Sequence, residues 1–287
     1  LGIEQQSIVP VHTEDGKGWG GPVGGITDRD NPARIIDMNK DNVGRFNKIF
    51  GNVFVEITPL DDLTLRSSYG INYGEFKLRN FVQAGKAGNL TFSDRLTQSD
   101  DWNRTLVWTN TANYKFSLLD DHHFNTLIGS ETVKFDSEYF SGTASGFASQ
   151  DRDYVYLSQG TSGITTAGGG NAWVLQSYFA KADYDYAGKY LFSATLRRDG
   201  SSRFGENNRW GYFPAFSAGW KINEESFFNL DFVDSLKLRA SWGQNGNQEI
   251  DTRATSNIYE SRYATQSLFT TLQDEGTAYD LNGNDQG

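Results

Sequence analysis

Apolar and polar residues alternate one by one over several long runs of this chain, and a period of two belongs to extended strands, whose side chains point to opposite faces in turn. From Tyr190 the split is clean: Tyr190, Phe192, Ala194 and Leu196 share one face, and Ser193, Thr195 and Arg197 the other. The next run repeats it, with Tyr212, Phe216, Ala218, Trp220 and Ile222 opposed by Ala215, Ser217, Gly219 and Lys221. Leu63 to Tyr73 and Leu236 to Trp242 behave alike, whereas His123 to Lys134 shows no clean separation of faces. The pattern predicts eight strands, at residues 46–58, 63–78, 103–118, 123–136, 173–186, 189–199, 210–222 and 236–247. Alternation alone fits two solvents. A soluble sheet turns its apolar face to a core, while a membrane barrel turns it to lipid and lines a wet lumen with the polar one.

The connections separate these readings. Pro59-Leu60-Asp61-Asp62, Leu119-Asp120-Asp121-His122 and Ala187-Gly188 are tight turns by composition. Between them lie long polar connections, Arg79 to Trp102, Ser137 to Trp173 with its Gly168-Gly169-Gly170 run, and Gly200 to Arg209. Short and long links alternate, as they do when one set of turns faces the periplasm and the other the outside. The runs also reach the ~9–11 residues a tilted strand needs to cross a bilayer. Tyr73, Trp102, Trp173, Tyr186, Tyr190 and Trp220 sit near strand ends, where interfacial girdles fall. An antiparallel transmembrane β-barrel wall is therefore the predicted fold class.

Composition narrows the function. No stretch approaches the ~20 apolar residues of a spanning helix, and the mean hydropathy of −0.58 has the value of a soluble protein. Barrel strands escape both tests because half of each is polar. A net charge of −10 leaves no basic stripe for phosphates, so no nucleic-acid partner is expected. The absence of cysteine removes disulfides and thiolate metal sites. The chain starts without Met or a signal-like segment, and the expectation is an internal piece of a longer protein.

No motif points to catalysis, a cofactor or a metal. Gly16-Lys17-Gly18-Trp19-Gly20-Gly21 matches the letters of a nucleotide-binding fingerprint without its strand and helix, and reads as a flexible external loop. His122 and His123 are adjacent, which puts them on opposite faces of any strand. Asp280 to Asp285 begins like a calcium loop but has Asp285 where such a loop needs glycine. Arg66, Lys181, Asp183, Arg197, Lys221, Lys237 and Arg239 all fall on polar strand faces, as lumen-facing charges that pair across strands or line a path.

Longer motifs carry a family resemblance. GKYL, ATLRRDGSSRFG, NNRWGYFP, SAGW and LKLRASWGQNGNQ, between Tyr184 and Ile250, together with GWGGPVGG and DRDNPAR near the start, closely resemble the SusC/RagA family of TonB-linked outer-membrane proteins of Bacteroidetes. Trp210 and Trp242 stand where that family more often has Tyr. The resemblance implies a plugged barrel of about 22 strands, of which residues 1–287 would supply about eight, with the plug, the TonB-contacting segment, the signal peptide and the closing strands absent. It implies import of oligosaccharides or peptides across the outer membrane, TonB-ExbB-ExbD acting through the missing N-terminal region, and a SusD-like surface lipoprotein as partner. Alone, an open sheet would leave unpaired edges in lipid, and aggregation is expected. Arg197 to Arg209, with Asp199, Arg203 and Glu206, reads as rim-loop architecture held by charge-assisted hydrogen bonds. Candidate contacts for substrate or partner are Trp19, Phe147, Asp151, Asp153, Tyr154 and Tyr156, aromatic faces beside acidic acceptors. The alternative is a secreted carbohydrate-binding β-sheet module or the β-domain of a glycoside hydrolase, which would need a carboxylate pair that no motif selects.

Overall fold

A computed structural model describes residues 10–21, 30–230, 232–248, 269–271 and 278–280. After a short helix α1 (Pro32–Asn39) the chain forms β1 (Val43–Leu60), β2 (Leu63–Val82), β3 (Gly85–Ala87), β4 (Leu90–Phe92), β5 (Arg95–Leu118), β6 (His122–Ser145), β7 (Ser162–Tyr186), β8 (Tyr190–Ser201), β9 (Trp210–Lys221) and β10 (Lys237–Gly243). The eight long strands make one sheet in the order β1-β2-β5-β6-β7-β8-β9-β10. β7, β8, β9 and β10 pair antiparallel, each with the next. All eight predicted strands are present.

The tight turns fall where expected, and their backbones show why those residues stand there. In the β7–β8 turn both Ala187 and Gly188 take positive φ, at 52° and 70°, and the Lys189 N–H donates to the Tyr186 carbonyl. Paired left-handed residues give a tight hairpin the twist of its strands.

The long connections need correction. β5 begins at Arg95, β6 runs to Ser145 and β7 begins at Ser162, so much of the expected loop is strand. The Gly168-Gly169-Gly170 run lies inside β7, not in a loop. A Cβ on Gly169 would sit 2.9 Å from the Tyr139 ring, and one on Gly170 2.9 Å from the Ser137 carbonyl oxygen. Close passage, not turning, is what these glycines permit. Helix α1 was not anticipated. Its Asn31 cap accepts from the N–H groups of Ala33 and Arg34, with Pro32 at the first turn.

Contacts group the chain into two units. The first comprises Leu1–Ile49, Tyr73–Asn103 and Ser137–Gly170; the second comprises Phe50–Asn72, Arg104–Asp136 and Asn171–Gly287. The first contains a small apolar core of Phe81, Leu96, Ala144, Phe147 and Val155, with Leu157 against it. In the second, the described residues that are buried are, apart from Gly200, polar: Asn171, Ser177, Ser201 and Arg203. Its large apolar side chains are exposed instead, among them Ile128, Phe192, Leu196, Phe216, Leu238 and Trp242, each by half or more. No helix among the described residues is long and apolar enough to cross a membrane.

Candidate functional site

The second unit divides into two faces through its register. Tyr190 pairs with Trp220, Ala194 with Phe216, and Arg198 with Tyr212, so these share one side of the sheet. Leu238 and Trp242 continue it, opposite Trp220 and Phe216. Two aromatic rows bound this apolar face. At the turn end Tyr186, Tyr190 and Trp220 stack in sequence, with ring centroids 6.1 and 6.4 Å apart. The Tyr190 hydroxyl and the Trp220 indole N–H both donate to Glu225, which also faces Lys189. Those contacts hold the Glu225 carboxyl below its usual range, the Tyr190 hydrogen bond first among them. At the other end Tyr178 stacks on Trp210, which leans over Gly200. The register sets Tyr190 against Trp220 and Gly200 against Trp210. The rows are thus about ten residues apart, the length a tilted strand uses to cross a bilayer.

Trp173 does not belong to either row. It stacks on Phe135, and the Arg203 guanidinium lies 4.7 Å above its ring. Alternation along β7 puts it on the same side as the buried Ser177, the polar face. Tyr178 occupies the outward position that the sequence reading gave to Trp173. Tyr73 and Trp102, in the first unit, stack on each other at 6.5 Å.

On the polar face most charges are matched. Arg197 donates to Asp199 at 2.7 Å, to Glu131 at 3.0 Å and to the Ser177 hydroxyl at 2.8 Å. Phe179, opposite Arg197 in the ladder, lies over Gly129, where an added Cβ would meet its ring at 2.5 Å. Lys181 pairs with Asp183 at 2.9 Å, and Arg66 pairs with Glu56 at 3.4 Å while its guanidinium covers Phe54. Lys221, Lys237 and Arg239 differ. Lys221 lies directly opposite Lys237 in the ladder, and among the described residues none of the three has a carboxylate within ion-pair distance. Like charges set opposite each other weaken a sheet unless something else faces them. Lys237 and Arg239 line a hollow of about 1000 Å³ with Asp183, Asp185, Ser193 and Ser217.

The loop after β8 is held mainly by backbone bonds. The Ser201 N–H donates to the Arg209 carbonyl at 3.1 Å, and the Ser202 N–H to that of Val174 at 2.9 Å. Arg203 is buried against Trp173, whereas the Arg209 side chain is exposed. The Glu206 side chain lies outside the described residues, as do Pro22 to Arg29 and most of the Asp280 to Asp285 segment. His122 and His123 take opposite faces, His122 against Tyr184 and His123 against Ser117.

In the first unit the segment between β6 and β7 is pinned by side chains distant in sequence. Asp94 accepts from the N–H groups of Gly146 and Phe147 and from the Gln150 amide. Burial acts to raise the Asp94 carboxyl, but the Gln150 amide and the two backbone donors outweigh it and hold it below the usual carboxylate range. Arg79 donates to the carbonyls of Arg152 and Val155, at 2.7 and 2.9 Å, and Arg152 in turn holds Asn42 and the Met38 carbonyl. Two expected contact residues have other work. Phe147 is buried edge-on to Phe81, 5.8 Å away, and so cannot offer its ring to a ligand. Asp151 caps a short 3₁₀ turn by accepting from the Asp153 N–H. Asp153 and Tyr154 on this turn are exposed, Tyr154 by 67%, and Tyr156, just beyond it in the same pinned segment, is exposed by 59%.

Trp19 is half-buried. Its ring lies tilted against His12 with centroids 4.7 Å apart, its backbone bridges to Ala87, and the Asn31 amide donates to the Val11 and Gly20 carbonyls. The described part of the first glycine-rich segment is a folded turn, not a flexible loop, because Gly20 and Gly21 lie where any Cβ would strike backbone. The residues that pin the β6–β7 segment, Arg79, Asp94, Gln150 and Arg152, escaped the sequence reading. Only the density of turn formers around Asp94 hinted at them.

A sheet that exposes its apolar face between two aromatic rows and gathers its charges, most of them paired, on the other face is the wall of a transmembrane β-barrel. The particular family follows: the chain belongs to the TonB dependent receptor-like β-barrel family, whose model matches residues 11–285. It is 32% identical over 249 residues to TonB-dependent receptor P39 of Formosa agariphila, covering 84% of this chain and 23% of the relative. It is 31% identical over 235 residues to TonB-dependent receptor SusC of Bacteroides thetaiotaomicron, covering 77% and 21%. The chain thus spans less than a quarter of the length of these two relatives. Among solved structures, that of the RagAB peptide transporter matches 87% of this chain and 27% of its own, with a TM-score of 0.72 at 22% identity. The RagAB importer in its open-open state gives 0.73 at 24% identity. The likeness to solved structures is one of fold.

Proposed function

We propose that this chain is part of the wall of an outer-membrane importer driven by TonB, which admits oligosaccharides or peptides and works with a SusD-like surface lipoprotein. The observation that carries the reading is the pair of aromatic rows about ten residues apart on an exposed apolar face. That arrangement suits a lipid band and has no purpose in a secreted sheet module, whose apolar face would be covered. The wall contributes position and lining, not catalysis.

Within that reading, Arg66, Lys181, Asp183 and Arg197 are structural, since each already has a partner. Lys221, Lys237 and Arg239 keep charge available for whatever fills or crosses the lumen. Tyr154 and Tyr156, with Asp153, are the candidate contacts with substrate or lipoprotein, because they are exposed on a segment that is itself fixed. The test uses the full-length protein in its native host. Uptake of labelled oligosaccharide and peptide mixtures should require TonB, and the protein should show heat-modifiable mobility in detergent. Replacing Tyr154 and Tyr156 by Ala should reduce uptake or lipoprotein affinity at least severalfold with no loss of barrel. Unchanged uptake and unchanged affinity would remove the two tyrosines from the site, and uptake indifferent to TonB would sink the importer reading.

A further inference from the structure

Arg198 occupies an unusual place. It lies opposite Tyr178 in one ladder and Tyr212 in the other, and so on the apolar face, while its sequence neighbour Arg197 lies on the polar one. Arg197 has three hydrogen-bonded partners. Arg198, among the described residues, has no carboxylate partner, and its Nε is buried without an acceptor. Its guanidinium lies 4.2 Å from the centroid of the Trp210 ring and 5.5 Å from that of Tyr212. Aromatic faces attract a cation and shield it from water, but they do not cancel its charge.

We propose that Arg198, framed by Tyr178, Trp210 and Tyr212, is a site for the phosphate of an anionic lipid headgroup. The proposal rests on the outer-membrane reading above. A charge directed at hydrocarbon is costly and is kept where it has a partner. Arg198 stands about eight residues along β8 from the Tyr190 row, at the far edge of the apolar band, the depth at which headgroups begin. A guanidinium presents paired N–H groups that match phosphate oxygens two at a time. The occupant is a lipid and not a soluble anion because the site opens along the face of Leu196, Phe192 and Phe216, each exposed by 50% or more, which acyl chains would cover.

The experiment is native mass spectrometry of the full-length protein in detergent. The protein is titrated with lipid A, with the same lipid after enzymatic removal of its phosphates, and with inorganic phosphate as competitor. Charge-assisted pairing predicts that the wild type prefers the phosphorylated lipid by about tenfold or more. Arg198→Gln should abolish the preference while leaving binding of the dephosphorylated lipid unchanged, and Arg198→Lys should keep part of it. A preference that survives Arg198→Gln overturns the proposal, as does inorganic phosphate that competes at the lipid's own concentration. Heat-modifiable mobility is measured in parallel for both proteins. If both form barrels and lipid preference is the same, this site alone is refuted; if the wild type forms no barrel, the outer-membrane reading fails and the site falls with it.

Discussion

In the first unit the fully buried large side chains are Phe81, Leu96 and Val155, whereas in the second the most deeply buried residues are Ser177, Ser201 and Arg203. The strands are of the same kind, and several contribute residues to both units. What differs is which face the surroundings reward. Around Phe81 the chain hides apolar groups from water, and uses Asp94, Arg79 and Arg152 to tie backbone across the top of the core. Around Ser177 it encloses hydroxyls and a guanidinium in a hydrogen-bonded layer and leaves Phe192, Leu196 and Phe216 outside. Burying a polar group is tolerable only when its bonds are made, and the Arg197 cluster makes them. Exposing a row of aromatics is tolerable only when the solvent is not water.

Two phenylalanine truncations in the full-length protein break the contrast most sharply. Phe81→Ala empties the centre of a small core and should cost about 3–5 kcal/mol of local stability. It would show as loss of amide-exchange protection across residues 146–161. Phe192→Ala removes a ring that is half exposed and stacked on Tyr184. Its cost should be about 0.5–1.5 kcal/mol, the worth of the ring pair beyond area, measured by urea unfolding in lipid vesicles. Equal costs would mean that the apolar face of the second unit is a covered core after all.

Introducing a charge sharpens the same contrast at the next size of effect. Ala194 is exposed, midway along β8 between Tyr190 and Arg198, and pairs with Phe216. Ala194→Arg should destabilise the folded protein in vesicles by about 2–4 kcal/mol, as expected for Arg near the midplane of a barrel's lipid face. Near the interface the same substitution would cost little, so a negligible effect at Ala194 would misplace the band.

Much of the second unit was legible in the sequence, because both the alternation and the turn residues are local signals. The split of Tyr190, Phe192, Ala194 and Leu196 from Ser193, Thr195 and Arg197 is the register later seen in the ladder. Strand ends were less legible. Residues 137–145 and 162–172 are polar and glycine-rich, and backbone pairing drew them into β6 and β7 without any side-chain pattern to announce it. The same ignorance of where strands end put Trp173 in a girdle, although its parity with Ser177 assigns it to the polar face. In the first unit, Phe147 read as a loop aromatic because its partner Phe81 is distant in sequence. Asp94 to Gly146 and Arg79 to Val155 are likewise long-range pairings that no periodicity encodes. Helix α1 was readable, since Asn31-Pro32 is a cap followed by a first-turn proline.

A more local effect concerns how the first unit fixes its tyrosine-bearing segment. Asp94 has its carboxyl held below the usual value of 3.8 by the Gln150 amide and the Gly146 and Phe147 N–H groups, against the opposing effect of burial. A carboxyl lowered on folding stabilises the folded form at every pH above its ordinary value, and that contribution is lost as pH falls through the lowered one. Protection of the Gly146 and Phe147 amides from exchange should therefore be constant from neutral pH down to about 4 and decline below that. Asp94→Asn should remove the decline, because no proton is left to bind, and should weaken protection at neutral pH by about 1–3 kcal/mol, since an amide nitrogen cannot accept what a carboxylate oxygen accepts. Both tyrosines should then be cleaved faster by chymotrypsin at neutral pH in the variant than in the wild type. If the variant and the wild type protect these amides equally at every pH, Asp94 is not what fixes the segment, and Arg79, through the Arg152 and Val155 carbonyls, holds it alone.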